Sequence, residues 1–425
     1  MKENNLAVAA KVKTESKTVE NLKAFFKGKT MFVILVGVMI LFEILIRIVS
    51  HGEKALFTPA NITNIIRQNA YVAILATGML LCILTGGNID LSIGSVVALV
   101  GAIAGVFIKN WEMPIGTAIF LCLLLGTLIG AFHGFFIAFI HIPPFITTLA
   151  GMLLWRGVTN IVLQGKPISP FPPKYLNLFE SFIPSSEKMS EKLGEIAVMG
   201  EFYDKFTLIV TLSITLICIL IYIGLEIFSR NKKIKNNYSV PAKGSFIIRL
   251  TILSVVLLLL GMFLAFDRGL PVILILLGVI IAIYSYFTQN TVPGRYLYAI
   301  GGNEKAARVS GVDTKKVMFF SYTNMGFISA VAALVTIARL NSAQPTGGTN
   351  YEMDAIASCF IGGASAYGGT GTVSGAVVGA VFMGVLNNGM SILGVDQNWQ
   401  KAVKGMVLLA AVIFDVVSKK KKTSK

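Results

Sequence analysis

The sequence predicts an all-α polytopic membrane protein with about ten or more transmembrane helices, a glycine-rich re-entrant or broken segment, and both termini cytoplasmic. Three observations predict it. Apolar residues make up 55% of 425 residues and charged residues only 14%, where soluble domains carry about 25% charged residues. Mean hydropathy is +0.75 over the whole length; a helical crossing needs roughly 20 apolar residues, so this chain has room for many spans. The Lys and Arg residues behind the net charge of +16 gather between apolar runs and at the two ends, as the positive-inside rule requires. A nucleic-acid partner is excluded by that placement, since such partners call for a basic patch on one face.

The elements follow in order. Residues 1–30 carry seven lysines, with Val19, Leu22, Phe25 and Phe26 on one helical face, and predict a basic cytoplasmic leader with an amphipathic helix on the inner leaflet. The run 31–49 is too long for the apolar core of a cleavable signal. A single transmembrane domain is expected over 31–417, with spans near 31–49, 69–86, 93–108, 115–140, 146–163, 206–228, 247–266, 270–287 and 317–338, a broken region 353–393, and a last span 399–417. A basic cytoplasmic tail, 418–425, follows.

Charge sets the expected orientation. The loop 229–249 has Arg230, Lys232, Lys233, Lys235, Lys243 and Arg249 with no acid, and 291–316 is also basic, so both face the cytoplasm. The loop 164–205 begins with Pro167, Pro170, Pro172 and Pro173, carries Glu180, Glu187, Glu191, Glu195, Glu201 and Asp204, and is expected outside. Parity leaves Glu352 and Asp354 outside after the ninth span, and returns the tail inside if 353–393 crosses an even number of times.

Two glycine-rich breaks interrupt apolar stretches. One reads Thr85-Gly-Gly-Asn-Ile-Asp-Leu-Ser-Ile-Gly94 and the other Ile361-Gly-Gly-Ala-Ser-Ala-Tyr-Gly-Gly-Thr-Gly371. Paired interruptions in the two halves of a transporter mark its translocation path, and unwound backbone at membrane depth must be buried in protein or line a watery cavity. Asn88, Asp90 and Ser92 at the first break, and Gly362, Gly363, Ser365 and Tyr367 at the second, are therefore candidate pathway residues. Asp90 also suits a local role, capping the helix that starts near Ile93. Asn387 and Asn388, inside an apolar helix, must find partners on other helices or on a substrate. Gly126, Gly130, Gly134 and Gly371, Gly375, Gly379 form small-residue ridges for close helix packing, within one chain or between two.

The stretch Tyr298–Gly311, Tyr-Ala-Ile-Gly-Gly-Asn-Glu-Lys-Ala-Ala-Arg-Val-Ser-Gly, is a polar helix-forming island between apolar runs. Asn303 suits an N-cap, Glu304 sits at the positive dipole end, Gly311 suits the C′ position, and Ala306 and Ala307 offer a flat small-residue surface. An ordinary solvated loop is the plain alternative.

Catalysis finds no support. Gly28-Lys29-Thr30 imitates the end of a P-loop, but Lys23 stands where the first glycine belongs. Gly369, Gly371 and Gly375 have the wrong spacing for a dinucleotide loop. The four cysteines (Cys82, Cys122, Cys218, Cys359) lie in apolar segments and read as small buried hydrophobes, and the three histidines make no metal motif. The chain is expected to be no enzyme and to bind no metal or cofactor itself.

These motifs together resemble permeases of the ribose, xylose and multiple-monosaccharide branch of bacterial ABC sugar importers. The likeness runs from about Asn61 to Val416 and is strongest in Thr85–Gly94, Pro144–Gly157, Tyr298–Gly311, Arg339–Leu340 and Asp354–Val395. Leu386-Asn-Asn-Gly-Met-Ser391 and the long middle, about 164–245, are similar to the xylose or multiple-sugar type. The resemblance implies a homodimer sharing one pore in the bacterial cytoplasmic membrane, a cytoplasmic ATPase with two nucleotide-binding domains that holds ATP and Mg, and an extracytoplasmic sugar-binding protein. It implies a monosaccharide substrate of the xylose, galactose, glucose or arabinose type. By the same resemblance Gly301, Gly302, Asn303, Glu304, Lys305, Ala306, Ala307, Arg308 and Gly311 form the helix that receives the ATPase. The Tyr367 ring, near the second break, presents an apolar surface on which a sugar face could stack. The rival is an ion-coupled secondary sugar transporter with Asp90 as the coupling acid; the coupling-helix spelling and the scarcity of intramembrane acids stand against it. A membrane enzyme would need a nucleophile–base or metal cluster that the sequence does not show.

Overall fold

The computed structural model describes residues 30–184, 201–238, 240 and 242–423. Val19, Leu22, Phe25 and Phe26 of the leader, and Glu187, Glu191 and Glu195 of the expected outer loop, lie outside the described residues. The described chain is helical nearly throughout, and nine helices are long and apolar enough to cross a membrane, with a tenth if a pair bent by 41° counts as one. It separates into two compact units, described here in turn.

The smaller unit contains two long helices. Glu201–Lys235 is apolar to about Phe228 and then basic. Its 35 residues would extend about 53 Å at 1.5 Å per residue, beyond the ~30 Å hydrocarbon core. Lys232, Lys233 and Lys235, expected in a loop, therefore continue a helix. The second helix, Lys243–Ala265, packs on the first. Gly261 admits Thr215, Arg249 pairs with Glu226, and the Arg230 guanidinium lies 4.7 Å from the centre of the Phe246 ring.

The larger unit takes in 38–56, 64–181 and the described residues from 271 on. In chain order its complete helices are α1 (Ala70–Leu84), α2 (Ile93–Gly105, continued by a π turn to Asn110), α3 (Ile115–Ala138), α4 (Pro144–Leu163), α5 (Pro173–Glu180), α6 (Val272–Asn290), α7 (Val292–Gly302), α8 (Glu304–Val309), α9 (Thr314–Leu340), α10 (Tyr351–Ile361), α11 (Val373–Ile392) and α12 (Gln397–Thr423). Every residue of α1 except Tyr71 is buried; a helix apolar on all sides belongs in a core. The long α9 packs on α1, α2 and α3.

Glycine sets the closeness of that packing. A methyl group on Gly326 of α9 would run into the Gly126 carbonyl and the Gly130 backbone of α3, and one on Gly130 would meet the Tyr322 and Thr323 carbonyls. The second ridge behaves alike: Gly375 and Gly379 of α11 face Gly362 and the Ser358 carbonyl at the end of α10. Both ridges thus pack inside one chain. On its other side α3 presents Phe120, Leu124, Leu128 and Phe135 outward, as a helix facing lipid does.

The broken region 353–393 resolves into α10, a half-length helix of 11 residues, then a glycine-rich loop, then the full-length α11. Asp354, expected outside the membrane, is 1% exposed on α10. Of the four cysteines, Cys82, Cys122 and Cys359 are buried as expected, while Cys218 is exposed.

Gly326→Ala should destabilise the protein by about 1–3 kcal/mol, the usual cost of overpacking. Gly278→Ala in α6, where nothing lies within 4 Å of the new methyl, should leave stability unchanged or raise it by up to about 1 kcal/mol. Thermal unfolding of the two variants in detergent compares them; equal melting temperatures would contradict the packing.

Candidate functional site

The polar island is two helices, not one. Thr291 caps α7, its hydroxyl accepting from the Gly294 amide at 3.1 Å. Asn303, extended at φ −164°, ends α7 and caps α8, with Oδ1 accepting from the Ala306 amide at 3.0 Å. Glu304 and Arg308 pair at 3.2 Å across one turn. Gly311, at φ +86°, closes α8: its amide donates to the Arg308 carbonyl and the Val312 amide to the Ala307 carbonyl, each at 3.0 Å. That is a Schellman ending, and it needs a left-handed residue at this position. Asp313 then caps α9; the Lys316 amide, followed by its ammonium, holds this carboxyl below the usual range.

Two residues of this segment face differently from the expectation. Ala307 is 5% exposed and packs inward with Ile300 and Val312, so it anchors α8 to its own chain. The outward surface is Lys305, Ala306, Arg308 and Val309, the last 90% exposed. An apolar side chain so exposed on a polar helix is a contact signal that reading the alanines overlooked. Gly301 is the second: a methyl there would collide with the Leu84 carbonyl at the end of α1 and with the Gly369 amide. It belongs to the interior, whereas Gly302 is exposed and open.

Gly301 shows where the sequence motifs converge. Gly86 (φ +123°) and Gly87 (φ +76°) turn the chain after α1. Gly87 abuts the Ala366 carbonyl, and Gly368 abuts the Gly86 backbone. The Gly369 amide donates to the Leu84 carbonyl at 3.0 Å, and the Tyr298 hydroxyl of α7 donates to the Gly371 carbonyl at 3.0 Å. Asp415 of α12 accepts from the Ala366 amide at 3.2 Å. Both glycine breaks and the end of α7 therefore meet backbone to backbone in one junction. Gly362 is crowded by Gly375, while Gly363 has open space but lies at φ +89°. Ser365 is buried and accepts from the Tyr367 amide at 3.1 Å; the Tyr367 ring is 65% exposed.

The first break continues into a buried polar chain. Asp90 Oδ1 accepts from the Ser92 amide at 2.8 Å and from the Ser92 hydroxyl at 2.6 Å. Ser92 is the residue that precedes α2, so Asp90 supports the helix start through it. Ser92 Oγ lies 3.2 Å from His133 Nδ1, and Trp155 Nε1 donates to His133 Nε2 at 3.0 Å. An indole nitrogen only donates, which places the imidazole proton on Nδ1, facing the serine. Asn88 bonds the Thr85 carbonyl at 3.2 Å and reaches Met318 Sδ of α9 at 3.7 Å.

Asn387 and Asn388 lie elsewhere. They are near the far end of α11, about 21 Å of helix from its start. Asn387 donates to Asn69 at 3.3 Å, and Asn388 is buried. The helix-bonding reading holds for Asn387. Sequence reasoning missed a second buried cluster: Lys404 of α12 pairs with Asp354 at 2.9 Å, and the Tyr71 hydroxyl donates to the same carboxylate at 2.7 Å. It also missed Arg156, which donates to the Gly347 carbonyl at 2.6 Å and the Pro345 carbonyl at 3.2 Å. Their signal was a charge inside each of three apolar runs.

A family of transport permeases matches residues 61–191 and 192–412; its description is branched-chain amino acid transport system, permease component. The chain belongs to that family. It is a multi-pass protein of the cytoplasmic membrane and a transport permease, not an enzyme. The xylose transport system permease protein XylH of Escherichia coli K12 is 33% identical, over 87% of this chain and 88% of the relative. XylH of Haemophilus influenzae is 33% identical over 87% and 92%. The ribose import permease protein RbsC of Haemophilus influenzae is 34% identical over 88% and 90%. No solved structure matches the chain.

Gly301→Ala should lower the melting temperature and the yield of folded protein, because backbone on two sides leaves the methyl no room. Gly302→Ala, one residue on and open, should fold as the parent does within about 0.5 kcal/mol. Size-exclusion profiles and melting curves of the pair would expose a mistaken junction if the two variants behaved alike.

Proposed function

We propose that the chain is the membrane-spanning permease subunit of an ATP-driven ABC importer that carries a monosaccharide across the cytoplasmic membrane. The observation that carries this reading is the junction of α7 with both glycine breaks, directly ahead of a small capped helix with an exposed face. A push on α8 reaches Leu84 and Gly369 through the Gly301 backbone of α7, and Gly371 through the Tyr298 hydroxyl. The xylose and ribose permeases among the relatives support a sugar as cargo. The substrate class is a xylose, galactose, glucose or arabinose type of sugar. Two copies of the chain form the pore, a cytoplasmic ATPase with two nucleotide-binding domains supplies ATP and Mg, and an extracytoplasmic binding protein delivers the sugar. α8 faces the cytoplasm, as its basic surroundings require.

In this mechanism the chain itself makes no bond. ATP-driven closure of the ATPase displaces Lys305, Ala306, Arg308 and Val309. The rigid caps at Asn303 and Gly311 keep α8 from absorbing that displacement by unwinding. The glycine junction passes it to α1, α10 and α11. Asp90 is held by the Ser92 amide and hydroxyl, which suits a structural carboxylate better than one that must bind and release a proton in each cycle.

Uptake of labelled sugar into proteoliposomes should require ATP, the ATPase and the binding protein, and should persist without any ion gradient. Uptake by this chain alone, driven by a proton or sodium gradient, would replace this reading with the secondary-transporter one. Within the complex, Ala306→Arg should weaken ATPase association about 30- to 150-fold, the equivalent of 2–3 kcal/mol, while the permease stays folded. Ala307→Arg should instead destabilise the permease itself, since Ala307 is buried. Pull-down of the ATPase and melting of the isolated permease read the two effects separately.

A further inference from the structure

We infer that a cavity of about 250 Å³ in the larger unit is a transit site for a single monosaccharide. The inference rests on the sugar-permease reading above and adds a place for the cargo within one copy of the chain. The cavity opens where the chain ahead of α1, the first turn of α1, the last turns of α9 and the start of α10 converge. Arg67, Gln68, Tyr71, Thr336, Arg339 and Tyr351 line it.

One side of the cavity is aromatic. The Tyr71 and Tyr351 rings stack with centroids 3.7 Å apart. Tyr71 is fixed by its hydrogen bond to Asp354, which Lys404 in turn neutralises. A fixed ring pair offers the apolar surface on which the C–H face of a sugar packs. The other lining groups are polar and mixed in sense. The Gln68 amide and the Thr336 hydroxyl can each donate and accept, and Arg339 donates. Arg339 Nε is buried with no hydrogen-bond partner among the described residues; a buried donor left so costs free energy that a ligand hydroxyl would recover.

Charge and size narrow the ligand. Arg67 is already bound to Glu180. An incoming anion would be answered by Arg339 and repelled by Glu180, which interacts with both guanidiniums. A neutral polyol meets no such opposition. At ~30 Å³ per water the cavity holds the volume of about eight waters, enough for one sugar ring and too small for two. Arg339 and Leu340, among the residues whose spelling resembles the sugar permeases, both border it.

The test uses the complete complex in nanodiscs, with Cys82, Cys122, Cys218 and Cys359 replaced by serine and Leu340, half-exposed at the border of the cavity, replaced by cysteine. The probe sugar is whichever of D-xylose, D-ribose, D-galactose, D-glucose or L-arabinose the wild-type complex takes up. That sugar in excess should slow alkylation of the new thiol by about threefold or more, which corresponds to occupancy of two-thirds of the sites. Sucrose and sodium phosphate should not slow it. Adding Thr336→Met, which fills the cavity, should abolish the protection. Protection by phosphate alone would make this an anion site, equal protection by sucrose would remove the single-ring selectivity, and no protection would remove the ligand; each overturns the inference. Wild-type uptake keeps the two readings apart. If uptake of every sugar is absent, the permease reading falls and takes this site with it. If uptake is intact but the thiol is unprotected, the site alone falls.

Discussion

The larger unit depends on backbone meeting backbone without side chains between. At Gly87, Gly301, Gly368 and Gly369, each missing Cβ is space that another main chain occupies. Two interrupted helices leave amides and carbonyls that cannot be satisfied by helix geometry, and such groups must be paired inside a membrane. Pairing them with each other, as in the Gly369 amide to Leu84 carbonyl bond, solves that problem and fixes the relative position of the two breaks. Side-chain packing tolerates rotamer adjustment; a backbone contact at this range does not. Stiffness follows from the same geometry.

Around that frame two groups of buried polar side chains are linked in sets. Trp155, His133, Ser92 and Asp90 make one chain in which every donor has an acceptor. Tyr71, Asp354 and Lys404 make another. A buried ion pair adds little net stability but is expensive to break, at about 3–5 kcal/mol for loss of one partner. These sets therefore specify which helices may neighbour which. Trp155 and His133 fix α4 against α3, and Lys404 fixes α12 against α10.

Much of this was legible in the sequence. The helices fell where apolar runs are long, because hydropathy is a local property. The caps at Asn303 and Gly311 were legible for the same reason: each works within five residues. The inward turn of Ala307 was not, since an alanine beside a charged helix reads the same whether it faces Val312 or solvent. Nor was the meeting of Gly301 with Gly369, which depends on how α1, α7 and α10 pack rather than on any residue nearby. Both breaks could be named as a pair, yet nothing in their spelling says that they touch. The burial of Asp354 was not legible either, since Lys404 and Tyr71, which pair with it, arrive from distant segments.

That ion pair also has a consequence for how the protein is made. Asp354 and Lys404 are separated by 50 residues of chain, and α12 is the last helix described. During synthesis the carboxylate on α10 emerges well before its ammonium. Until α12 enters, α10 carries an acid without its cation partner. Arrival of α12 completes the ion pair, so α10 and α12 have to come together before either charge has its partner.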